Sequence, residues 1–210
     1  MYKRQGKDGK ILGGEIDFTI DGGAYATLSS VVLSRGTIHA GGPYYWPSVR
    51  ILSKAVATST PPHGAFRGFG APQSLFAMER HMDRIAQAVG LSPVEIRRRN
   101  FLQPSQSTTT EQTIREEIDL GKLLDRALEL SDYTAKKARF AQENIASPIK
   151  KGIGIAAFLH GAGFTGSGER YLASVVGVEG CADGGVSVLA SSTEFGQGTN
   201  TCLLYTSRCV

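Results

Sequence analysis

Residues 64–73, Gly64-Ala65-Phe66-Arg67-Gly68-Phe69-Gly70-Ala71-Pro72-Gln73, place one arginine and two aromatic rings between glycines at the start of a long amphipathic segment. Glycine lets a backbone adopt positive φ and approach a ligand closely. The guanidinium offers a planar fork of donors, and the rings offer flat faces. The chemistry this suits is the binding of a flat, polar-edged molecule. A second glycine turn, Glu194-Phe195-Gly196-Gln197-Gly198-Thr199, again holds an amide side chain between small residues. The stretch Gly161-Ala162-Gly163-Phe164-Thr165-Gly166 fits the dinucleotide fingerprint and follows a predicted strand. That fingerprint also needs a helix directly afterwards, and the valine-rich residues 171–179 read as a strand instead.

Other chemistries find little support. His39, His63, His81 and His160 lack the spacing of a metal cage, and His81, flanked by Glu79 and Asp83, reads as a solvated histidine. Ser167 between glycines lacks the context of a nucleophile elbow. No metal is expected to be bound directly by this chain.

Both ends carry a distinct signature. Residues 202–210 read as the in-frame translation of a sequencing adapter joined to its reverse complement, and residues 1–5 as the opposite adapter strand, which leaves residues 6–201 as natural protein. Without Lys3, Arg4 and Arg208 the formal net charge falls from +4 to +1, so basicity is no argument for nucleic acid. Cys202 and Cys209 leave with the scars, and the remaining Cys181 is expected as a reduced thiol. No run approaches the length of a membrane span and no export signal opens the chain, so a cytoplasmic protein without a membrane partner is the expectation.

The elements that must position the turns follow from periodicity. Ile16, Phe18 and Ile20 alternate with polar residues over 10–21 as in a half-buried strand, closed by Asp21-Gly22-Gly23. Leu28, Val31, Val32 and Arg35 fall at helical spacing, with Arg35 near the helix end. Residues 49–57 read as a strand that delivers the chain into the first glycine turn. Leu75, Met78, Met82, Ile85 and Val89 then mark the apolar face of a helix from about residue 72 to Gly90. Ser92-Pro93-Val94-Glu95 is a capping box that opens a short helix, whose Arg97, Arg98 and Arg99 read as a solvated face. A polar loop over 103–113 leads to helices at 120–130 and 134–144. Pro148-Ile149-Lys150-Lys151 marks a change to strand-and-glycine character, with strands expected at 152–160, 171–179 and 186–191 and a hairpin turn at Asp183-Gly184. The fold class is α+β (mixed α/β), with domains over 6–149 and 150–201.

Ala65-Phe66-Arg67-Gly68-Phe69-Gly70-Ala71-Pro72-Gln73, Gly163-Phe164-Thr165 and Glu194-Phe195-Gly196-Gln197-Gly198-Thr199, in that order, resemble the molybdenum-binding subunit of the xanthine dehydrogenase and aldehyde oxidase family. The resemblance implies parts of two molybdopterin-binding domains and hydroxylation of an activated carbon on a heteroaromatic ring or aldehyde, with water as the oxygen source. It implies a molybdenum–molybdopterin cofactor, [2Fe-2S] clusters and FAD on partner domains or subunits, and an oligomer at full length. Arg67 matches the arginine that contacts the pterin cofactor, and Phe195, Gly196 and Gln197 match the turn that grips it. On the substrate side, Phe69 matches the aromatic that stacks on the substrate ring, Phe164 the one that meets it edge-on, and Thr165 a neighbouring donor. Arg35 falls where xanthine-oxidising members stabilise negative charge on the purine, which makes it the catalytic candidate. The family's first cofactor turn and catalytic glutamate match nothing between Gly6 and Thr201, so an internal fragment, inactive alone, is expected. Three functions follow: oxidation of purines or related N-heterocycles, oxidation of aldehydes, or a non-enzymatic or nucleotide-binding α/β module.

Overall fold

The computed structural model describes residues 2–161 and 175–207. The chain forms two compact units, residues 1–160 and 161–210.

The first unit is built on a three-stranded sheet in the order β1-β2-β3, with β1 Tyr2–Gln5, β2 Ile11–Gly23 and β3 Val49–Ala57. β1 runs antiparallel to β2, whereas β3 runs parallel to it, with Ile16 opposite Ile51 and Phe18 opposite Ser53. A parallel pair requires a crossover. It is supplied by α1, Ser29–His39, and by the Tyr44–Trp46 aromatic run that follows. The period-two pattern buries Ile16 and half-buries Phe18 and Ile20, and Ile11 is buried at the start of the strand. Against the sheet α1 packs closely at Gly36, where an added Cβ would sit 2.4 Å from the Phe18 ring.

α2, Ala71–Ala88, supplies the centre of the core through Leu75, Met78, Met82 and Ile85, the apolar stripe read from the sequence. α3, Pro93–Asn100, begins with a complete capping box: Ser92 Oγ accepts from the Glu95 N–H at 3.1 Å and Glu95 Oε2 from the Ser92 N–H at 3.2 Å. Its last residue, Asn100, joins the helix to the start of β2. Asn100 Oδ1 accepts the Ile11 N–H at 2.7 Å while Nδ2 donates to the Gly9 carbonyl at 2.9 Å. Tyr44 and Phe101 stack with ring centroids 6.0 Å apart, and Trp46 Nε1–H donates to the Gly41 carbonyl at 2.9 Å. α4, Leu120–Leu130, and α5, Tyr133–Ala146, complete this unit.

Three sequence readings are corrected here. Arg97 is not on a solvated face: it is wholly buried, while Arg98 and Arg99 are exposed. Residues 152–160 are not a strand. They run extended with burial alternating residue by residue, but their Ala157 N–H donates at 2.8 Å to the Glu79 side chain instead of to a ladder partner. His81 is half-buried on α2, not solvated.

The second unit contains the hairpin β4 Gly177–Gly180 and β5 Val186–Leu189. It turns at Asp183-Gly184, where the Cys181 N–H donates to the Gly185 carbonyl at 2.8 Å and Gly184 takes φ +84°. A closing helix, α6, spans Thr199–Ser207. The expected strand over 171–179 is described only from residue 175, and its ladder begins at Gly177.

Candidate functional site

The first glycine turn is wound by three successive residues with positive φ: Gly68 at +94°, Phe69 at +58° and Gly70 at +101°. For phenylalanine this region carries a strain of about 1–3 kcal/mol, which a turn holds only when its surroundings over-determine it. Those surroundings are visible. The Phe69 N–H donates to the Phe66 carbonyl at 2.7 Å and the Ala71 N–H to the Gly68 carbonyl at 3.2 Å, after which Pro72 opens α2. Gly70 also lies so close to α1 that a Cβ there would sit 2.3 Å from the Val32 carbonyl oxygen. Gly36, next to Arg35, approaches the same residue, since its added Cβ would be 3.3 Å from the Gly70 carbonyl oxygen. The turn carrying Arg67 and Phe69 therefore rests on the stretch of α1 that carries Arg35.

The candidates differ in exposure. Arg35 is buried near the end of α1, Phe69 is half-buried and Arg67 is exposed. Arg67 has no ion-pair or hydrogen-bond partner among the described residues. Beside the turn, Gly64, Gly70 and Gln73 share a cavity of about 390 Å³ with Phe18, Asp21, Ser29, Val32 and His63. Asp21 accepts from the Thr58 hydroxyl at 2.6 Å, the Gly23 N–H at 2.9 Å and the Thr60 hydroxyl at 3.2 Å, and these bonds hold its carboxyl below the usual range.

The second glycine turn belongs to the second unit. Phe195 is exposed, and Gly196 and Gly198 take φ +99° and +88°. The turn is organised by Glu194, which the sequence reading did not single out. Glu194 Oε1 accepts the N–H groups of Gly196 at 2.7 Å and Gly198 at 3.2 Å, and Oε2 accepts that of Asn200 at 3.1 Å. The Asn200, Gly198 and Gly196 amides push the Glu194 carboxyl below its ordinary value. Its signal in the sequence is an acid followed by glycines two and four residues on. Gln197 is held within the turn: its Oε1 accepts from the Phe195 N–H at 2.9 Å and its Nε2 donates to the Thr193 carbonyl at 2.7 Å. Phe164 and Thr165 lie outside the described residues.

A buried polar cluster underlies the first turn's helix. Arg97 Nε donates to Glu79 Oε2 at 2.8 Å and Arg97 Nη1 to Asp83 Oδ1 at 2.9 Å, while the Tyr44 hydroxyl donates to Glu79 Oε1. Burial, then the neighbouring Glu79 charge, drives the Tyr44 phenol far above its ordinary value. Burial works against the Arg97 charge, but Tyr44, Glu79 and Asp83 outweigh it and hold the pKa above its usual value. Nearby, a groove of about 800 Å³ is walled by Leu75, Phe76, Ile155 and Phe158. Among the described residues no group of three or more His, Cys, Asp or Glu side chains could hold a metal ion. None of the described helices is long and apolar enough to cross a membrane.

Two models of the molybdopterin cofactor-binding domain match the chain, over residues 5–101 and 126–206. The chain is 34% identical over 194 residues to the aldehyde oxidoreductase of Megalodesulfovibrio gigas, an alignment covering 92% of this chain and 20% of that protein. It is 32% identical over 199 residues to the xanthine dehydrogenase/oxidase of Gallus gallus, covering 94% of the chain and 14% of that protein. Among solved structures, the aldehyde oxidoreductase from Desulfovibrio gigas superposes with a TM-score of 0.68 at 30% identity, covering 89% of this chain and 20% of that one. The quinoline 2-oxidoreductase from Pseudomonas putida superposes with a TM-score of 0.57 at 34% identity, over 66% of this chain and 18% of that one. The fold is thus that of the molybdopterin-binding domains of a molybdenum hydroxylase. The chain belongs to the xanthine dehydrogenase and aldehyde oxidase family, as a part of its molybdenum-binding subunit. It spans about a fifth of the length of the aldehyde oxidoreductase it matches.

Proposed function

We propose that this chain is part of a molybdenum hydroxylase that oxidises purines, of the xanthine or hypoxanthine kind, or related N-heterocycles. The observation that carries the reading is a buried arginine, Arg35, on the stretch of helix against which the Phe69 turn is packed. A buried cation aimed at charge that develops during reaction lowers a barrier by several kcal/mol at most, about 3–4 for one well-placed donor. A planar ring stacked on Phe69 would present its edge to neighbouring polar groups.

The residues of the first turn fit a molybdenum–molybdopterin group. Arg67 is exposed and unpartnered among the described residues, on glycines that allow close approach. Phe195, Gly196 and Gln197 would hold the pterin from the second turn, although the Gln197 carboxamide must first exchange its Thr193 and Thr199 partners. When bound, the cofactor supplies the exchange of a ring C–H for C–OH with oxygen from water, the electron pair leaving to [2Fe-2S] and FAD centres on partner domains or subunits. Arg67 and the second turn hold the cofactor, Phe69 orients the ring, with Phe164 and Thr165 proposed alongside it, and Arg35 faces the developing negative charge. The boundary between the two domains is placed at residues 148–151, and the full-length protein would be a cytoplasmic oligomer.

The aldehyde-oxidising reading rests on the aldehyde oxidoreductase likeness. The two separate by experiment. In the full-length enzyme, Arg35→Met should lower kcat/KM for xanthine or hypoxanthine roughly 10²-fold or more and leave aldehyde oxidation within a few-fold, since only the purine transition state places charge there. Equal losses on both substrates would overturn the purine assignment.

A further inference from the structure

Residues 152–160 cross the first unit as an extended segment, fixed in the middle by the Ala157 amide on Glu79 and by Ile155 and Ala157 against the core. The segment ends on His160. The His160 ring lies on that of His39, the last residue of α1, with centroids 5.3 Å apart and planes at 31°. His39 is only 7% exposed, and its Nδ1 lies 2.7 Å from the Arg35 carbonyl oxygen. A carbonyl only accepts, so Nδ1 carries the proton and Nε2 is the basic atom that can take another.

We propose that the His39–His160 pair is a pH-sensitive clasp, which holds the end of the 152–160 segment on α1 at neutral pH and lets it lift on acidification. The inference does not depend on the activity proposed above. A proton taken up at His39 Nε2 makes an imidazolium in a buried place, beside a second imidazole and on a helix whose Arg35 is already charged. Burial pushes the His39 pKa down from its ordinary value of 6.5, the charges of His160 and Arg35 add to that, and the bond to the Arg35 carbonyl pulls the other way. Among the described residues, Glu79, Arg80 and Asp83 of α2 and Lys137 of α5 line one groove with His160. Glu79 and Asp83 are committed to Arg97. Lifting the segment takes the His160 ring off His39 and moves its proton affinity back towards the ordinary value. The open form therefore binds more protons than the closed one, so the closed form keeps its full advantage above about pH 6.5 and loses it as the pH falls below that value.

The test is hydrogen exchange of the peptide spanning 152–160 in the full-length subunit, corrected for intrinsic exchange, at pH 7.5 and 5.5. Protection should fall roughly three- to tenfold at the lower pH. In His39→Phe, which keeps a ring and removes the titrating group, protection should be independent of pH. If that variant does not fold, His160→Phe provides the second arm: with the like charge gone, the closed-form proton affinity of His39 rises towards its open-form value, so the loss of protection between pH 7.5 and 5.5 should shrink. Protection that is equal at both pH values in the natural chain would overturn the clasp, as would an unaltered pH profile in the variants.

Discussion

Glu79 and Arg97, on different helices, form a buried ion pair in which Arg97 Nε lies 2.8 Å from Glu79 Oε2 and the arginine side chain has no exposed surface. The same carboxylate also accepts from Tyr44 and from the Ala157 amide, so one side chain joins α2, α3, the aromatic run and the 152–160 segment.

Removing either partner leaves a buried charge uncompensated. Arg97→Met and Glu79→Gln should each destabilise the first unit by about 3–5 kcal/mol. Urea unfolding of the variants measures this. Arg98→Met, which breaks an exposed pair with Asp125, should cost less than about 1 kcal/mol by the same measurement.

The Phe69 turn depends on a residue without a side chain at Gly70. Its φ of +101° strains any other residue, and a Cβ would collide with the Val32 carbonyl. Gly70→Ala should destabilise by about 2 kcal/mol or more and push the turn off α1. Thermal unfolding gives the first quantity; altered fluorescence or chemical shifts around Phe69 report the second.

Arg67 stands at the opposite extreme, exposed and without a protein partner among the described residues. Arg67→Ala should leave stability within about 0.5 kcal/mol. In the full-length enzyme it should lower molybdenum and pterin content per subunit, measured by elemental analysis and by pterin fluorescence after release. Full cofactor loading in this variant would remove Arg67 from the cofactor site.

The second glycine turn should be acid-labile. Backbone amides hold the Glu194 carboxyl below its ordinary value of 4.5, so the contribution of these bonds is complete above that pH and fades as the pH falls through the depressed folded value. Exchange protection of the Gly196, Gly198 and Asn200 amides, corrected for intrinsic rates, should fall at pH 3. Glu194→Gln should show weak protection at every pH.

Local pattern alone determined much of this chain. β3 and α4 occupy the residues that alternation and helical spacing assign, and Ser92 and Glu95 close the capping box as read. Each depends on contacts within a few residues, and such contacts are written into neighbouring side chains. The glycine turns were legible for a related reason, because positive φ restricts residue choice at the position itself. Tertiary structure decided the rest. Whether Arg97 faces water or the core depends on Glu79 and Tyr44, far away in sequence, and no local period encodes that burial. The alternation at residues 152–160 is that of a strand, yet a ladder needs a neighbouring strand edge, and this segment lies instead against helices with its amide on Glu79. Placing the Phe69 turn on the Arg35 helix likewise required the close approach of Gly70 to Val32, a contact between elements that only the folded chain creates.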